Sequence, residues 1–287
     1  MNTTEETDIS LSLCEKFCVF YEDENFTKLL KSIKEVGIIN PPVLSGNEVV
    51  LGGRRIRALL KLGIGKTKVK KVDVDELSAI KMAYYDNIFR ISKAEEIFYI
   101  KRAYDFSKDI NVVSQCLNIN ENYVRKILNL SNLPPKIIEL LHFGKIDLKI
   151  CEILSSLKNI EKFIPFLSKE LSVSGKRKIL LSAEKALQKL GEEKYDEITD
   201  ILNSYEPEKK LYRIINPQLT QLHEEISKTL SEIRIIKVIP PENFEGEKIK
   251  IISEFTEDEF PKIKSDILEL EKVLDKLFFI IRGFKIK

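Results

Sequence analysis

The chain has 287 residues, of which 43% are hydrophobic and 32% charged, and its formal net charge is +2. This composition is typical of a globular protein of two or three domains and excludes a mostly disordered chain. No apolar run approaches the ~20 residues that cross a bilayer, so no membrane partner is expected. The near-neutral charge does not by itself indicate a nucleic-acid partner, which would need a local basic patch.

The N-terminal residues 1–8 are polar and predict disorder, and they lack the basic and apolar regions of a signal peptide. We therefore expect a cytoplasmic protein whose four cysteines are reduced. Cys14 and Cys18 are four residues apart, but no second cysteine or histidine pair completes a metal site. We interpret these two side chains as buried thiols.

The first ninety residues alternate between strand and helix patterns, which predicts an α/β domain. Apolar residues at three- to four-residue spacing indicate the helices, and β-branched runs indicate the strands. The predicted elements are a strand over 9–20, a helix over 25–36, a strand and turn over 41–48, a strand over 49–51, a helix from Gly53 to Leu62, a lysine-rich strand over 66–74 and a helix over 76–85.

The stretch Val49–Gly63, VVLGGRRIRALLKLG, joins a buried strand to a helix through two glycines. Such a helix start presents free backbone N–H groups and a partial positive charge, which suit an anion and most often phosphate. Arginines in the first turn oppose the helix dipole unless something negative binds there. An anion site is therefore predicted, and a tight turn with surface arginines is the alternative. The candidate residues are Gly52, Gly53, Arg54, Arg55 and Arg57.

From Ser92 to about residue 190 the patterns are only helical. Ser92 and Glu95 form a capping box, and two short helices on either side of Asn118–Ile119 predict a helix-turn-helix. Amide and basic side chains on the second helix can reach base edges and phosphates, although an ordinary helical bundle has the same pattern. The candidate DNA-contacting residues are Ser114, Gln115, Asn120, Asn122, Tyr123, Arg125, Lys126 and Asn129.

The C-terminal part combines helix and strand patterns after a charge-rich segment over 191–212, which predicts a linker. A unit of about 70 residues is thin for a core of its own, so we expect dimerisation through this end. The predicted elements are a helix over 217–230, a strand over 233–239, a turn over 240–246, a strand over 248–255 and a long helix to about residue 279.

Taken together, these motifs resemble the ParB/Noc family of chromosome and plasmid partition proteins. FTKLLKSIKEVGIINPPV is similar to the family's LxxSIxxxGxxxP segment, and VLGGRRIRALL resembles its GERRxRA phosphate-binding box. DNIFR resembles the ENIQR box, and NINENYVRKILNLSNLP resembles the helix-turn-helix that ends in LRLLxLP. The last unit is similar to the family's strand-strand-helix dimer domain.

The resemblance implies an α+β multidomain protein with a nucleotide-binding domain of the ParB/sulfiredoxin-like α/β fold. An all-α helix-turn-helix domain and a small C-terminal β-β-α dimerisation domain would follow. The implied boundaries are 1–91 for the nucleotide-binding domain, 92–190 for the helix-turn-helix domain, 191–212 for the linker and 213–287 for the dimerisation domain.

The resemblance also implies a function, that of a homodimeric CTP-binding clamp that loads at a short DNA site. Such a protein is cytoplasmic and nucleoid-associated, acts in partition or nucleoid occlusion, and can have a ParA-type ATPase as partner. Carboxylate and amide oxygens suit Mg²⁺ on a triphosphate, and arginines suit its charge. The implied ligands are Gly52, Gly53, Arg54, Arg55, Arg57, Asn87 and Arg90 for CTP, and Asp86 and Asn87 for Mg²⁺.

The chain departs from the family pattern at three places. Gly53 replaces the glutamate of the GERR box, Ile91 replaces the usual polar residue after ENIQR, and residues 13–24 lack the NPxQPR box. In the family that box contributes to hydrolysis and to the pocket. We therefore predict a switch that binds CTP, with at most slow hydrolysis and no assigned catalytic residue.

Two alternatives follow from the same residues. One is a ParB-like transcription regulator of a mobile element. The other is a small-molecule kinase, because free-serine kinases and sulfiredoxin share the α/β fold that the resemblance implies. Sulfiredoxin chemistry needs a cysteine where Arg54 stands, and a kinase would need neither a helix-turn-helix nor a dimer domain.

Overall fold

The computed structural model describes residues 4–14, 16–230, 237–239 and 249–285. The chain divides into two compact units, one up to Glu184 and one from Lys185 onward. The described strands are β1 (Thr4–Asp8), β2 (Val43–Ser45), β3 (Glu48–Leu51), β4 (Lys66–Val72), β5 (Lys237–Ile239) and β6 (Lys250–Ile252). The described helices are α1 (Glu24–Val36), α2 (Gly53–Lys61), α3 (Glu76–Asn87), α4 (Lys93–Ser107), α5 (Ile110–Leu117), α6 (Glu121–Leu130), α7 (Pro135–His142), α8 (Leu148–Ser155), α9 (Ile164–Leu167), α10 (Val173–Leu190), α11 (Tyr195–Asn203), α12 (Pro207–Ile215), α13 (Pro217–Leu230) and α14 (Phe260–Lys285).

The first unit begins with a four-stranded mixed sheet in the order β1-β4-β2-β3. β4 is antiparallel to β1 and parallel to β2, and β2 is antiparallel to β3. Helices α1 and α2 pack against each other and share the core of this sheet. Burial of apolar side chains is the main force that holds these elements together. The buried core residues are Ile9, Cys14, Phe26, Ile33, Leu44, Val49, Ile56, Ala58, Leu59 and Val69.

Two expectations at the N-terminus are wrong. Residues Thr4–Asp8, predicted as disordered, form β1, and the segment 9–20, predicted as a strand, contains a 3-10 helix at Leu11–Cys14. β1 carries acidic side chains along the lysine-rich β4, with an ion pair between Lys71 and Glu5. Opposite charges on neighbouring strands and the backbone hydrogen bonds of β4 together order a strand that is too polar to be predicted from its apolar pattern.

The helices after Ser92 follow the predicted pattern. Ser92 accepts a hydrogen bond from the Glu95 N–H, and the Glu95 carboxylate accepts one from the Ser92 N–H, which completes the capping box of α4. Helices α5 and α6 pack against each other and against α4. The sheet and these helices lie in one compact unit, and the domain boundary near residue 91 stays a prediction.

The second unit differs from expectation at its start. Helices α11 and α12 occupy most of the segment over 191–212 that was predicted as a linker. Ile198, Leu202 and Leu211 are buried, so the apolar spacing of a helix is present within the charge-rich sequence that suggested a linker.

Helices α13 and α14 and the antiparallel pair β5-β6 form a core in the second unit. β6 ends at Ile252, before the predicted end of that strand at residue 255. Residues 233–236 of the other predicted strand and the predicted turn over 240–246 lie outside the described residues. The buried core residues are Leu222, Ile226, Val238, Val273, Leu277 and Ile281.

Helix α14 also leaves large apolar side chains on its surface. Ile267 is 55% exposed, Leu268 71% and Phe279 81%. Phe279 follows Leu268 after about three helical turns, so the two share one side of the helix. Across the described ranges, no helix combines the length and the apolar character that crossing a bilayer requires.

Candidate functional site

The predicted turn between strand and helix is formed by Gly52 and Gly53. Gly52 has a φ of +89° and a ψ of 26°, a left-handed conformation that favours glycine, and its carbonyl accepts hydrogen bonds from the N–H groups of Arg55 and Ile56 at 2.9 and 3.1 Å. Helix α2 begins at Gly53. The first N–H groups of a helix have no partner within it, so this turn offers donors to an anion.

Gly53 is packed against a cysteine. A Cβ atom placed on Gly53 would lie 2.5 Å from Cys18 Sγ and 2.7 Å from Cys18 Cβ, and the Cys18 thiol donates to the Val49 carbonyl at 3.3 Å. The glutamate of the family box therefore has no room here, because Cys18 occupies the space of its side chain.

Arg55 lies at this turn, and the charge of Asp86, which belongs to a different motif, acts on its guanidinium. Arg55 donates to the carbonyls of Asn40 and, at 3.3 Å, Pro41, and its guanidinium carbon is 3.0 Å from the position of a Cβ on Gly52. Burial lowers the pKa of Arg55, and the nearby charge of Asp86 opposes this shift. Arg55 stays protonated at any physiological pH and can bind an anion.

The other residues of the DNIFR motif lie at the end of α3. The Asn87 amide donates to the Ala83 carbonyl at 3.0 Å and hydrogen-bonds to the buried Tyr99 hydroxyl. Asp86 and Arg90 are exposed, and the Arg90 N–H donates to the Asn87 carbonyl at 2.7 Å. The structure thus places Asp86 and Arg90 where a ligand from solvent can reach them.

The donors at this site fit Mg²⁺ only together with phosphate. Among the described residues, no group of three or more His, Cys, Asp or Glu side chains could hold a metal ion. Asp86 and Asn87 supply hard oxygen atoms, and Mg²⁺ is commonly bound by one or two such groups with substrate phosphates and water completing its shell. The residues present therefore suit a metal that arrives with a nucleotide.

Arg54 is held by Asp23, a residue that the motif analysis missed. Arg54 Nη1 lies 3.2 Å from Asp23 Oδ2, and Arg54 Nη2 donates to the other oxygen. Asp23 also caps α1 by accepting from the Phe26 N–H at 2.8 Å. An aspartate directly before a helix is a capping signal. The capping role of Asp23 could therefore have been predicted from the sequence, but its pairing with Arg54 could not.

Asp23 connects the turn to the helical part of the same unit. His142 Nε2 lies 3.7 Å from Asp23 Oδ2, and the His142 ring stacks on Tyr21 with 4.0 Å between centroids. His142 Nδ1 is 2.9 Å from the Ser92 hydroxyl. The segment that lacks the NPxQPR box therefore joins α2 to α7 through Tyr21 and Asp23.

Arg57 points away from Arg55. Its guanidinium lies 4.9 Å from the centroid of the Phe20 ring, and its buried Nε has no hydrogen-bond partner among the described residues. Positions 55 and 57 lie on nearly opposite faces of a helix. The structure does not bring Arg57 to the side of Arg55 and Asp86.

Three of the candidate DNA-contacting side chains share an exposed face of α6: Asn122, Arg125 and Asn129. Lys126 forms an ion pair with Glu152 of α8. Tyr123 faces α4, where its hydroxyl donates to Glu96 at 2.8 Å. The exposed face is therefore narrower than predicted.

Two of the other three candidates, Ser114 and Asn120, stabilise the turn between α5 and α6. The Ser114 hydroxyl donates to the Ile119 carbonyl at 2.6 Å, and the Asn120 side chain caps α6 by accepting from the Asn122 N–H at 2.8 Å. Gln115 is exposed on α5 and donates to Asn111 at 2.6 Å. Of these three, Gln115 has the greatest freedom to contact a ligand.

The environment of Asp23 predicts a dependence of stability on pH. Burial raises the pKa of Asp23, but hydrogen bonds from Arg54 and the Phe26 N–H and the charges of Arg54 and His142 outweigh it, so the pKa is lowered. A lowered folded-state pKa stabilises the protein above the unfolded value of about 3.9, and the effect is lost as the pH falls through the folded value.

We therefore expect Asp23→Asn, which keeps a helix cap, to lower the melting temperature at pH 7, with a cost of about 1–3 kcal/mol. The difference from the wild-type protein should shrink steadily below about pH 4. Thermal unfolding followed by circular dichroism at pH 7 and below about pH 4 measures the difference in melting temperature between the two proteins. An equal difference under the two conditions would contradict the assigned ion pair.

Comparison with known proteins identifies the class of the first domain. Residues 7–88 match the ParB N-terminal domain, so this part of the chain is a ParB N-terminal domain. The chain is similar to the chromosome-partitioning protein Spo0J of Thermus thermophilus, with 28% identity over 132 residues, which are 44% of this chain and 49% of that protein. The match spans about half of the length of this curated relative. The predicted resemblance to the ParB family is thereby confirmed for this first domain.

Solved ParB structures are also similar to this chain. A C-terminally truncated ParB from Caulobacter crescentus complexed with CTP-gamma-S is 17% identical, with 58% of this chain and 99% of that chain covered and a TM-score of 0.26. The same protein complexed with the centromeric parS site is 17% identical, with 62% and 97% covered and a TM-score of 0.30. A Pnob8-like ParB-N domain is 15% identical, with 78% and 97% covered and a TM-score of 0.41.

Proposed function

We propose that this chain is a nucleotide-gated, sequence-specific DNA clamp of the ParB type that binds CTP with Mg²⁺. It acts in chromosome or plasmid partition or in nucleoid occlusion. The observation that carries this proposal is the position of Arg55 against Gly52 in a ParB N-terminal domain, with Asp86 near enough for its charge to act on the guanidinium. An anion-binding turn, a desolvated guanidinium and a carboxylate are the parts that a magnesium-bound triphosphate requires.

Each residue has a distinct part in binding. The N–H groups of the first turn of α2 donate to phosphate oxygens, and Arg55 adds a charged donor that the Asn40 and Pro41 carbonyls hold in place. When bound, Mg²⁺ neutralises phosphate charge, and Asp86 and Asn87 would hold it. The choice of cytosine as the base rests on the family resemblance.

Ligand linkage tests this proposal. The melting temperature of the purified full chain is measured with Mg²⁺ and each of CTP, ATP, GTP and UTP at equal concentration. A ligand at 100 times its Kd stabilises the folded state by about 2.7 kcal/mol, so CTP should raise the melting temperature clearly. The absence of a shift with every nucleotide would refute the proposal, and a shift with ATP alone would favour the small-molecule kinase.

DNA binding is proposed for the exposed face of α6, and Arg125 is its clearest test. Arg125 is exposed and lies 3.9 Å from Glu121, whereas Lys126 is already paired with Glu152. We expect Arg125→Ala to weaken binding and to reduce the slope of log affinity against log salt by about one.

Selection from a random DNA pool, with and without CTP, first supplies the DNA site for this measurement. Lys31→Ala on α1 removes an equal charge from a helix outside the predicted helix-turn-helix and serves as the control. Equal salt slopes for the Arg125→Ala, Lys31→Ala and wild-type proteins would contradict the assignment of α6. A site recovered only near promoters of a mobile element would favour the transcription regulator.

Homodimerisation is proposed for the exposed apolar side of α14, which carries Leu268 and Phe279. Exposed patches of this kind commonly mark protein interfaces. Phe279→Glu should convert the dimer to a monomer in size-exclusion chromatography with light scattering. Tyr205→Glu, at an 83% exposed position outside α14, is the control and should leave the dimer intact. A Phe279→Glu protein that stays dimeric would place the interface elsewhere.

Two further parts of the family's function stay predictions for this chain. Hydrolysis of CTP is expected to be slow at most, because residues 13–24 lack the NPxQPR box. A ParA-type ATPase is the expected partner if the protein acts in partition.

A further inference from the structure

Two cysteine thiols lie behind the Gly52–Gly53 turn and have no part in the proposed function. Cys14 is fully buried and Cys18 is half-buried, and both sulfur atoms lie close to one point, since a Cβ on Gly53 would be 3.9 Å from Cys14 Sγ and 2.5 Å from Cys18 Sγ. Cys18 Sγ donates to the Val49 carbonyl at 3.3 Å, and Cys14 Sγ lies 3.9 Å from the Gly53 carbonyl. The pair therefore contacts both the end of β3 and the start of α2.

We propose that Cys14 and Cys18 form a redox-active dithiol, which a peroxide converts to an intramolecular disulfide that alters the Gly52–Gly53 turn. The closeness of the two sulfur atoms supports formation of the disulfide. The effect on the turn follows from the position of Cys18 Sγ, 2.5 Å from where a Gly53 Cβ would be, because any movement of this sulfur changes the packing against the first residue of α2.

The surroundings of the pair favour a thiolate at Cys14 and a protonated thiol at Cys18, because the contact with Cys14 and burial raise the pKa of Cys18. The contact with Cys18 lowers the pKa of Cys14, burial opposes this shift, and the positive charge of Arg57 adds to the lowering. The thiolate is the nucleophile in thiol chemistry. The guanidinium of Arg57 lies against Phe20 rather than beside Arg55. Its charge therefore acts on Cys14, and we do not assign it to phosphate binding.

The reaction balances with one peroxide. The Cys14 thiolate takes the proton of the Cys18 thiol as the Cys18 sulfur, the more accessible of the two, attacks a peroxide oxygen and the O–O bond breaks. Cys18 becomes a sulfenic acid, and the released hydroxide takes that proton from Cys14 and leaves as water. The Cys14 thiolate then attacks the Cys18 sulfur, the S–S bond forms, and hydroxide leaves and takes up the proton that Cys14 released when its thiolate first formed. The two thiols are oxidised and the peroxide is reduced to two water molecules.

Oxidation should alter the turn, a consequence that rests on the proposed function. Bond formation draws Cys18 Sγ toward Cys14 and away from the Val49 carbonyl. The start of α2 loses the side-chain packing that supports it, so we expect oxidised protein to lose the rise in melting temperature produced by Mg²⁺ and CTP, and a thiol reductant to restore it.

Peptide mapping by mass spectrometry tests the disulfide itself. The full chain is treated with hydrogen peroxide, its free thiols are alkylated, and it is digested without reductant. Wild-type protein and Cys116→Ser should both give a peptide joined through Cys14 and Cys18, and Cys18→Ser should give none. Free Cys14 and Cys18 after treatment, or oxidation of Cys18 alone beyond sulfenic acid, would overturn the proposal.

The two proposals fail in different ways. A reduced protein that shows no shift with CTP overturns the proposed nucleotide site, and the disulfide mapping is unaffected. A mapped disulfide with an unchanged CTP shift would overturn the coupling between the dithiol and the turn.

Discussion

Arg55→Ala is expected to remove about half or more of the rise in melting temperature that Mg²⁺ and CTP produce at about 100 times the wild-type Kd. Arg55 lies against Gly52 and feels the charge of Asp86, and the Asn40 and Pro41 carbonyls already fix its position. Little side-chain entropy is therefore lost when a phosphate binds. Removing a charged donor to an anion costs about 1.5–3 kcal/mol, which is a tenfold to more than a hundredfold loss of affinity.

Lys61→Ala is the matched control for this substitution. Lys61 lies on the same helix and pairs with Glu22 on the surface, so its removal changes the net charge equally. We expect Lys61→Ala to keep the shift. If both variants respond to CTP as the wild-type protein does, the nucleotide is not bound at the Gly52–Arg55 turn.

Gly53→Ala is expected to destabilise the protein by about 1–3 kcal/mol through overpacking. The added Cβ would come within 2.5 Å of Cys18 Sγ and 2.7 Å of Cys18 Cβ. Gly53→Glu, which restores the family's residue, should cost more. Cys18→Gly removes both contacts and should relieve most of the cost in the double variant.

Gly65→Ala separates this effect from the general cost of replacing a glycine. A Cβ on Gly65 meets no atom within 4 Å, so that variant should unfold at nearly the wild-type temperature. Thermal unfolding of the single and double variants gives the coupling between positions 53 and 18. Additive effects of the two substitutions would show that Cys18 does not determine the need for glycine.

The local elements could be predicted from sequence because their signals are local. Helix α4 follows its capping box, α6 begins at its predicted cap Asn120, and Asp75 caps α3 as expected. The turn between β3 and α2 was predicted because glycine adopts at little steric cost the left-handed conformation that Gly52 has.

The rest depends on contacts between distant residues. β1 is ordered by pairing with β4, about sixty residues away, and its sequence has no apolar pattern that predicts a strand. Arg54 was assigned to a ligand with Arg55, but its pairing with Asp23 depends on how α1 packs beside α2. Likewise, nothing in the spacing of Cys14 and Cys18 shows that Gly53 lies against them. Long-range packing decides these three cases.

Asp23 also determines how substitutions in this region combine. One carboxylate caps α1, binds Arg54 and lies beside His142, so these three contacts share a single partner. The changes in unfolding free energy on replacing Arg54 and on replacing His142 should therefore not add, because either substitution alters the Asp23 carboxylate that the other side chain contacts. Single-residue scans would misassign the contribution of each side chain, and only paired substitutions that include Asp23 can separate them.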